Sequence, residues 1–205
     1  MPRPPVPLIS IDALVTAALE LVDEAGDFSL PKLAKRIGVS QSSIYNHVSG
    51  REEILELMRG RIISETPYDL SVAPDWESAL RAIVRSYRDA FARHPRLAPL
   101  LVLQTVQDPQ VLALYENLAV ALERAGFQGQ DVVSAISTID SFALGFALDL
   151  AAPDVVWAPP AQGYPSLTTA LNHAGPPDAR GEAAFDFGLE ILVAGLRARP
   201  RSAVS

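Results

Sequence analysis

The sequence contains no cysteine, and its 205 residues include only three histidines and two tryptophans. Without cysteine there is no disulfide framework, no thiolate metal site and no cysteine nucleophile. A glycine-rich phosphate loop, a nucleophile elbow and a histidine–carboxylate metal spacing are also missing. We therefore expect no enzyme activity, no cofactor and no metal site.

The chain also lacks the signals of secretion and membrane insertion. Its first seven residues have no apolar run of the kind found in a signal peptide, and we expect them to form a disordered arm. The most apolar long stretch, residues 132–152, contains Asp140 and Asp149, which argues against a membrane span. Since 49% of the residues are hydrophobic, a sizeable core is available. We expect a soluble, cytoplasmic protein with no membrane partner.

The stretch from Phe28 to Arg51 predicts two short helices joined by a tight turn. Ser29 can cap the first helix, and Gly38 suits the left-handed backbone that ends it. Ser40 can cap a second helix from Gln41 to about His47. This pattern is typical of a helix-turn-helix, in which the second helix enters the major groove of DNA. A purely structural helical hairpin is the alternative.

The charge of this stretch favours DNA. It carries four cations and no acid, in a chain whose net charge is -7. The second helix exposes neutral hydrogen-bonding and stacking groups, which suit base edges and phosphates. A helix that is merely solvated would more often carry glutamate and lysine. The next four residues, Ser49 to Glu52, are typical of a capping box that opens a further helix.

From Leu14 to about Ile63 the sequence resembles the tetracycline-repressor (TetR) family of bacterial transcriptional regulators. Beyond Ile63 the resemblance is limited to the helix layout and to the last helix, Phe187 to Leu196. It implies an all-α fold with a helix-turn-helix domain at residues 8–64 and a helical effector-binding and dimerisation domain at residues 75–198. The segments that carry it are Leu33-Ala34, Gly38-Val39-Ser40, Ile44-Tyr45-Asn46-His47-Val48 and Arg51-Glu52-Glu53-Ile54-Leu55.

The resemblance also implies which residues meet an operator. Gln41 lies at the helix start, where its amide can pair with adenine, and Arg51 matches a lysine that contacts the DNA backbone. Pro31 departs from the family pattern where an arginine can read a base, so we expect Pro31 to be structural. The expected contacts are Lys32, Gln41, Ser42, Ser43, Tyr45, Asn46, His47 and Arg51.

Beyond a proline-containing break at residues 66–74, apolar residues recur at helical spacing. The long helix in the middle of this region is apolar over most of its circumference, so it must be buried on more than one side. The predicted long helices are Asp75 to Arg93, Asp108 to Ala125, Asp131 to Ala152 and Arg180 to Ala198. A shorter one is expected near Ser166 to Asn172.

Three glycines of the last helix recur every seven residues and could allow another helix backbone to approach closely. Packing within one chain is the plain alternative. The resemblance favours a homodimer in which the last two long helices of each chain form a four-helix bundle. The expected interface residues are Ile136, Ala143, Gly181, Ala184, Gly188 and Gly195.

The resemblance further implies a small-molecule effector, and the few charges on these helices suggest an apolar or aromatic one. Its candidate contacts are polar groups in an otherwise apolar bundle, and each could instead face solvent or cap a helix. They are His94, Gln104, Tyr115, Asn117, Thr138, Asp140, Ser141 and Trp157. We thus expect a repressor released from a near-palindromic operator by its effector. An effector-independent DNA-binding or protein-binding adaptor is the alternative.

Overall fold

The computed structural model describes residues 10–199 except positions 151, 154 and 161, so the expected N-terminal arm lies outside the described residues. Every regular element in this part of the chain is an α-helix, which confirms the all-α fold. The helices are α1 Ile11–Ala25, α2 Leu30–Ile37, α3 Gln41–Tyr45, α4 Arg51–Ser64, α5 Trp76–Ala92, α6 Ala98–Leu101, α7 Pro109–Arg124, α8 Gln130–Asp149, α9 Pro165–Asn172 and α10 Pro177–Ala198.

The ends of α1 are set by its capping residues. The Ser10 hydroxyl accepts a hydrogen bond from the Ala13 amide at 3.1 Å, which satisfies one of the unpaired donors of the first turn. At the other end Gly26 has a φ of 75°, and its amide donates to the Val22 carbonyl at 2.7 Å. A residue with a side chain rarely adopts this left-handed conformation, so glycine ends the helix.

The cap of α4 differs from the expected one by a single position. Gly50 is the N-cap, and Glu53 rather than Glu52 reaches back to the chain before the helix. The amide and hydroxyl of Ser49 donate to the Glu53 carboxylate at 2.6 and 2.8 Å. The Ser49 amide is the main cause that lowers the pKa of Glu53. The reciprocal bond of a capping box therefore forms one residue later.

The apolar core continues from α1 to α10, with α5 at its centre. Helix α1 packs on α2 and α4, while α5 packs on α7 and α8, and α8 packs on α10. The apolar stripe predicted for α5 is buried throughout, at Leu80, Ile83, Val84, Tyr87 and Phe91. Periodicity therefore predicted correctly which face of this helix turns inward.

Helix α10 is also held to α5 by four ion pairs, called here the α5–α10 ion pairs. Their partners run in opposite order along the two helices, so the helices are antiparallel. Ion pairs at the surface contribute about 0–1 kcal/mol each and weaken with salt, but Arg88, a member of one of these pairs, is buried. The pairs are Glu77–Arg197, Arg81–Glu190, Arg85–Asp186 and Arg88–Glu182.

Helix α4 joins the N-terminal helices to the rest of the chain through unusually close contacts. The buried Arg59 donates to the Leu101 carbonyl at 2.8 Å, and Glu56 accepts from the Gln107 amide at 2.8 Å. At Gly60 an added Cβ would lie 2.2 Å from a carboxylate oxygen of Asp108. The start of α7 thus rests directly on the backbone of α4.

Among the described helices, α8 is long and apolar enough to cross a membrane, judged by length and composition only. Only a minority of it is buried within this chain. One such helix is weak evidence for a membrane, because core helices of soluble proteins have a similar composition.

Candidate DNA-binding and effector sites

Helices α2 and α3 pack together as the sequence predicts. Leu33 and Ala34 of α2 are buried, and so are Ile44 of α3 and Val48 just after it. Gly38 has a φ of 73° and ends α2. Helix α3 is only five residues long and ends at Tyr45, two residues before the expected end.

The outer side of α3 carries the residues expected to read DNA. Gln41, Ser42, Asn46 and His47 are exposed, and Tyr45 is 51% exposed although it is aromatic. A large exposed aromatic side chain beside polar neighbours is typical of a contact surface. These side chains form one accessible group that the rest of the described chain leaves uncovered.

Two of the expected serines already have partners inside the chain. The Ser40 hydroxyl lies 2.8 Å from the hydroxyls of both Ser42 and Ser43. It also accepts from the Ser43 amide at 3.2 Å, as the N-cap of α3. Since Ser43 is half-buried, its first role is to shape the start of α3.

Of the four cations from Phe28 to Arg51, the two arginines have an acidic partner and, in the described part of the chain, the two lysines have none. Lys32 and Lys35 are exposed, and in the described part of the chain neither forms an ion pair under 4 Å. Arg36 is bound to Glu20 and Glu24 of α1. Lys35, which the expected DNA contacts omit, is therefore as available to a phosphate as Lys32.

Arg51 is engaged within the chain. Its guanidinium donates to the Asp27 carboxylate at 2.6 Å and to the Phe28 carbonyl at 3.4 Å. It also lies 5.0 Å from the centroid of the Phe28 ring. The hydrogen bond from Arg51 is the main cause that lowers the pKa of Asp27. Arg51 thus fixes α4 to the turn before α2, and a phosphate would have to share or displace Asp27.

The eight expected effector contacts do not form one site, although two of them meet in the interior. The hydroxyls of Tyr115 and Tyr87 donate to the same oxygen, Oδ1, of Asp140 at 2.6 and 3.0 Å. Burial is the main cause that raises the pKa of both tyrosines. Tyr87, which the sequence predicts only as a core residue, completes this group of three.

Two further expected contacts, Ser141 and Trp157, line one cavity of about 490 Å³ between α8, α10 and the α8–α9 connection. Its walls include Phe142 and Phe146, so we call it the aromatic cavity. The guanidinium of Arg180 lies 5.6 Å from the Trp157 ring centroid. Trp157 therefore lies at the wall of a cavity, and its role as an effector contact stays a prediction.

His94 and Gln104 lie away from both places. The Nδ1 atom of His94 is 2.8 Å from a carboxylate oxygen of Asp23, so it joins α1 to the end of α5. Gln104 lines a polar cleft of about 610 Å³ between α4 and the α6–α7 connection. In the described residues no group of three histidine, cysteine or acidic side chains could hold a metal.

The other two candidates, Asn117 and Thr138, form hydrogen bonds within the chain. Asn117 donates to the Tyr68 hydroxyl at 2.8 Å, which ties α7 to the α4–α5 connection. Thr138 is exposed and donates to the Ser134 carbonyl one turn earlier at 2.8 Å. The hydrogen bond of Asn117 had no signal in the sequence, because it joins residues 49 positions apart.

The expected interface residues differ in their surroundings, since some are packed within this chain and others are exposed. Ala143 is buried and Ile136 packs against the core of this chain. At Gly188 an added Cβ would lie 2.6 Å from the Phe142 ring, whereas at Gly195 no described atom lies within 4 Å. Gly188 and Ala143 therefore pack within one chain, as the plain alternative held. Ala184 is exposed, and Gly181 is half-buried near Asp149.

The open apolar surface uses residues that the glycine pattern missed. Phe187 is 71% exposed, Ile191 is 57% exposed, and Val133 of α8 is 56% exposed. Phe187 and Ile191 are four positions apart, so they share one side of α10. Gly195 follows one turn later. Together these residues give α8 and α10 an uncovered apolar face.

The outward α3, its polar side chains and the two exposed lysines define a helix-turn-helix DNA-binding protein. Comparisons then identify the family. The sequence model of the "Tetracyclin repressor-like, C-terminal domain" matches residues 71–155. The Escherichia coli tetracycline repressor protein class D is 32% identical over 193 residues, covering 90% of this chain and 87% of that protein. The chain belongs to the tetracycline-repressor family of transcriptional regulators, which confirms the predicted family.

Solved structures share the fold. Mycobacterium smegmatis BioQ has a TM-score of 0.72 and 26% identity, covering 94% of this chain and 100% of that chain. Streptomyces coelicolor ActR in complex with actinorhodin has a TM-score of 0.78 and 21% identity, covering 97% and 100%. The family consists of regulators and not of enzymes.

Proposed function

We propose that this chain is a homodimeric repressor that leaves its operator when a small apolar or aromatic molecule binds. Residues 8–64 bind DNA, and residues 75–198 bind the effector and the second subunit. The protein acts in the cytoplasm, where the chromosome lies, and catalyses no reaction. The observation that carries the proposal is the exposed polar side of α3, held outward by the buried Ile44 and Val48.

The DNA contacts follow from the geometry of the hairpin. Gln41 begins α3, so its amide reaches base edges, while Tyr45 lies one turn later and can contact a thymine methyl. Lys32 and Lys35 neutralise phosphates beside the groove. Arg51 acts on the operator mainly by positioning α4, because Asp27 already binds it.

The dimer forms through the open face of α8 and α10. Phe187, Ile191 and Val133 would be covered by the same residues of a second chain related by two-fold symmetry. Gly195 allows close approach at the end of this face. A two-fold dimer places two α3 helices about 34–36 Å apart, or a multiple of that, on a near-palindromic operator.

The effector binds beside the tyrosine–aspartate group between α5, α7 and α8. Both tyrosines donate to Oδ1 of Asp140, so in the described part of the chain Oδ2 remains as an acceptor. An acceptor set among apolar side chains selects a mostly apolar molecule with one donor group. The neighbouring Arg59 of α4 is bonded to Leu101 of α6, and α4 also packs on α7, so a shift of α6 or α7 reaches α4 directly. An effector that binds more tightly to a conformation in which α4 is shifted, and in which α3 no longer fits the operator, would then release the DNA.

Selection of operators from random DNA with the full-length chain tests DNA binding. We expect a near-palindromic site, and Gln41→Ala should cost about 1–3 kcal/mol per half-site and relax the base preference. Gln128→Ala, an exposed glutamine in the α7–α8 connection, is the matched control. Sequence-independent binding, or equal effects of the two variants, would contradict the proposal.

A thermal-shift screen of small molecules tests effector control. A ligand at 100 times its Kd stabilises the folded state by about 2.7 kcal/mol. We expect a hit to release the selected operator, and Asp140→Leu to abolish release while operator binding is retained. If no hit releases the operator, the chain is instead an effector-independent DNA-binding protein. Binding to a protein and not to DNA would indicate the adaptor function.

A further inference from the structure

We propose that the Asp27 carboxylate occupies a phosphate-binding position on the DNA-binding side of the chain and so limits how tightly the protein binds any duplex. The inference rests on the proposed DNA contacts and adds a residue that works against them. Asp27 lies directly before α2, and its carboxylate binds the guanidinium of Arg51 at the start of α4. A carboxylate and a DNA phosphate accept the same hydrogen bonds from arginine.

The groups around Asp27 are those that proteins use to hold a phosphate. Its Oδ1 atom accepts from Arg51 at 2.6 Å and from the backbone amide of Phe28 at 2.8 Å. The hydrogen bond from Arg51 is the main cause that lowers the pKa of Asp27, and the charge of Lys32 lowers it further. A guanidinium, a backbone amide and a lysine therefore act together on one anion. In this chain that anion is the protein's own carboxylate.

The position of Asp27 places it among the groups that face DNA. Lys32, in the first turn of α2, is exposed and is one of the proposed phosphate contacts. The Asp27 side chain is 66% exposed beside it. The Arg51–Asp27 pair has no net charge, so Arg51 adds nothing to the neutralisation of phosphates while Asp27 holds it.

Removing the charge of Asp27 should leave Arg51 in place. The guanidinium also donates to the Phe28 carbonyl at 3.4 Å and lies 5.0 Å from the centroid of the Phe28 ring. Asparagine at position 27 keeps an oxygen that can accept from the Phe28 amide. The Asp27→Asn variant should therefore offer a fixed guanidinium to a phosphate, without the carboxylate that now occupies it.

The size of the gain follows from the release of counterions. One additional phosphate neutralised on B-DNA steepens the plot of log K against log salt by about 0.9. Relative to 1 M salt, a slope change of this size corresponds to about fivefold tighter binding near 0.15 M salt. Every sequence carries the same phosphates, so the gain should be equal on operator and random DNA. Asp27 thus sets the affinity and leaves the base preference unchanged.

The experiment measures fluorescence anisotropy of the full-length chain with the selected operator and with a random duplex of equal length, between about 50 and 200 mM salt. We expect Asp27→Asn to bind both duplexes about fivefold more tightly near 0.15 M salt and to steepen both slopes by about 0.9. In an Arg51→Ala background the same substitution should not steepen either slope, because no guanidinium is released.

Asp12→Asn is the matched control, because Asp12 forms the same kind of ion pair with Arg61. Arg61 lies ten residues after Arg51 in α4 and is therefore about 15 Å away along the helix. This variant should leave both slopes unchanged. Equal gains from Asp12→Asn and Asp27→Asn, or a steeper slope that persists without Arg51, would show a general effect of charge and overturn the proposal.

Weaker DNA binding by Asp27→Asn, together with a lower Tm, would show that the pair only fixes α4, and would also overturn it. If the unchanged chain binds both duplexes and Asp27→Asn gains nothing, this proposal alone is wrong. If the unchanged chain and its variants bind neither duplex, the repressor function and this proposal are both wrong.

Discussion

Replacing Gly188 or Gly195 with alanine separates packing within one chain from packing between two chains. Both glycines lie in α10, seven residues apart, and both replacements add one methyl group. At Gly188 this group would lie 2.6 Å from the Phe142 ring, whereas at Gly195 the described chain places no atom within 4 Å. The same chemical change therefore meets opposite surroundings in a single chain.

The two expected magnitudes differ in sign. Alanine in a helix interior gains about 1 kcal/mol over glycine. At Gly188 overpacking costs about 1–3 kcal/mol, which leaves a net destabilisation of about 0–2 kcal/mol. At Gly195 the gain of about 1 kcal/mol is retained by the single chain, but the added methyl group separates the two backbones at the proposed dimer face.

Thermal unfolding at several protein concentrations and sedimentation equilibrium measure these effects. We expect Gly188→Ala to lower the Tm by up to about 4–8 °C and to leave the dimer dissociation constant unchanged. Gly195→Ala should weaken the dimer and raise the stability of the dissociated chain. If Gly188→Ala weakens the dimer as much as Gly195→Ala does, Phe142 does not occupy the space beside Gly188, and our assignment of the open face is wrong.

Three other predictions concern acid stability, base preference and salt. The hydrogen bond from Arg81 lowers the pKa of Glu190; its stabilisation is therefore present above the unfolded value of about 4.3 and disappears as the pH falls through the lower folded value. Urea midpoints from acid to neutral pH should show this, and Glu190→Gln should flatten that part of the curve. Pro31→Ala should leave the selected operator sequence unchanged, and a new base preference would show that Pro31 takes part in reading. Lys35→Ala should reduce the salt slope of operator binding by about 0.9 for each phosphate that the lysine neutralises, whereas Arg36→Ala, already paired with acids, should not.

Local signals predicted most of the fold. Gly38 ends α2 and Ser40 caps α3 as expected, because a cap or a left-handed turn depends on a few neighbouring residues. The buried stripe of α5 follows from its 3.6-residue period. Helix α3 ends two residues earlier than expected. The cap of α4 forms one residue later than expected, since Glu52 and Glu53 offer the same chemistry in adjacent positions.

Long-range contacts decided the parts of the site that the sequence did not predict. The segment around α3 contains no acid, yet Asp27, one residue before it, and Glu24 of α1 neutralise two of its four cations. His94 binds Asp23, 71 residues away. The glycine spacing of α10 predicted a stripe of small residues along one side of the helix. It could not show that Phe142 of the same chain fills the space beside Gly188 and leaves Gly195 open. Such pairings depend on how helices cross, and no periodic pattern records that.

The contact between Gly60 and Asp108 limits how this protein can be rebuilt. Asp108 caps α7 by accepting from the Gln110 amide at 2.9 Å, and its carboxylate occupies the space where any side chain at position 60 would begin. A chimaera that joins this DNA-binding segment to another sensor domain must therefore keep glycine at position 60 and a short capping residue above it. If this contact is kept, a new sensor domain has the same direct connection to α4. With alanine at position 60 the Asp108 carboxylate would have to move, so either its cap on α7 or the contact between α4 and α7 would change.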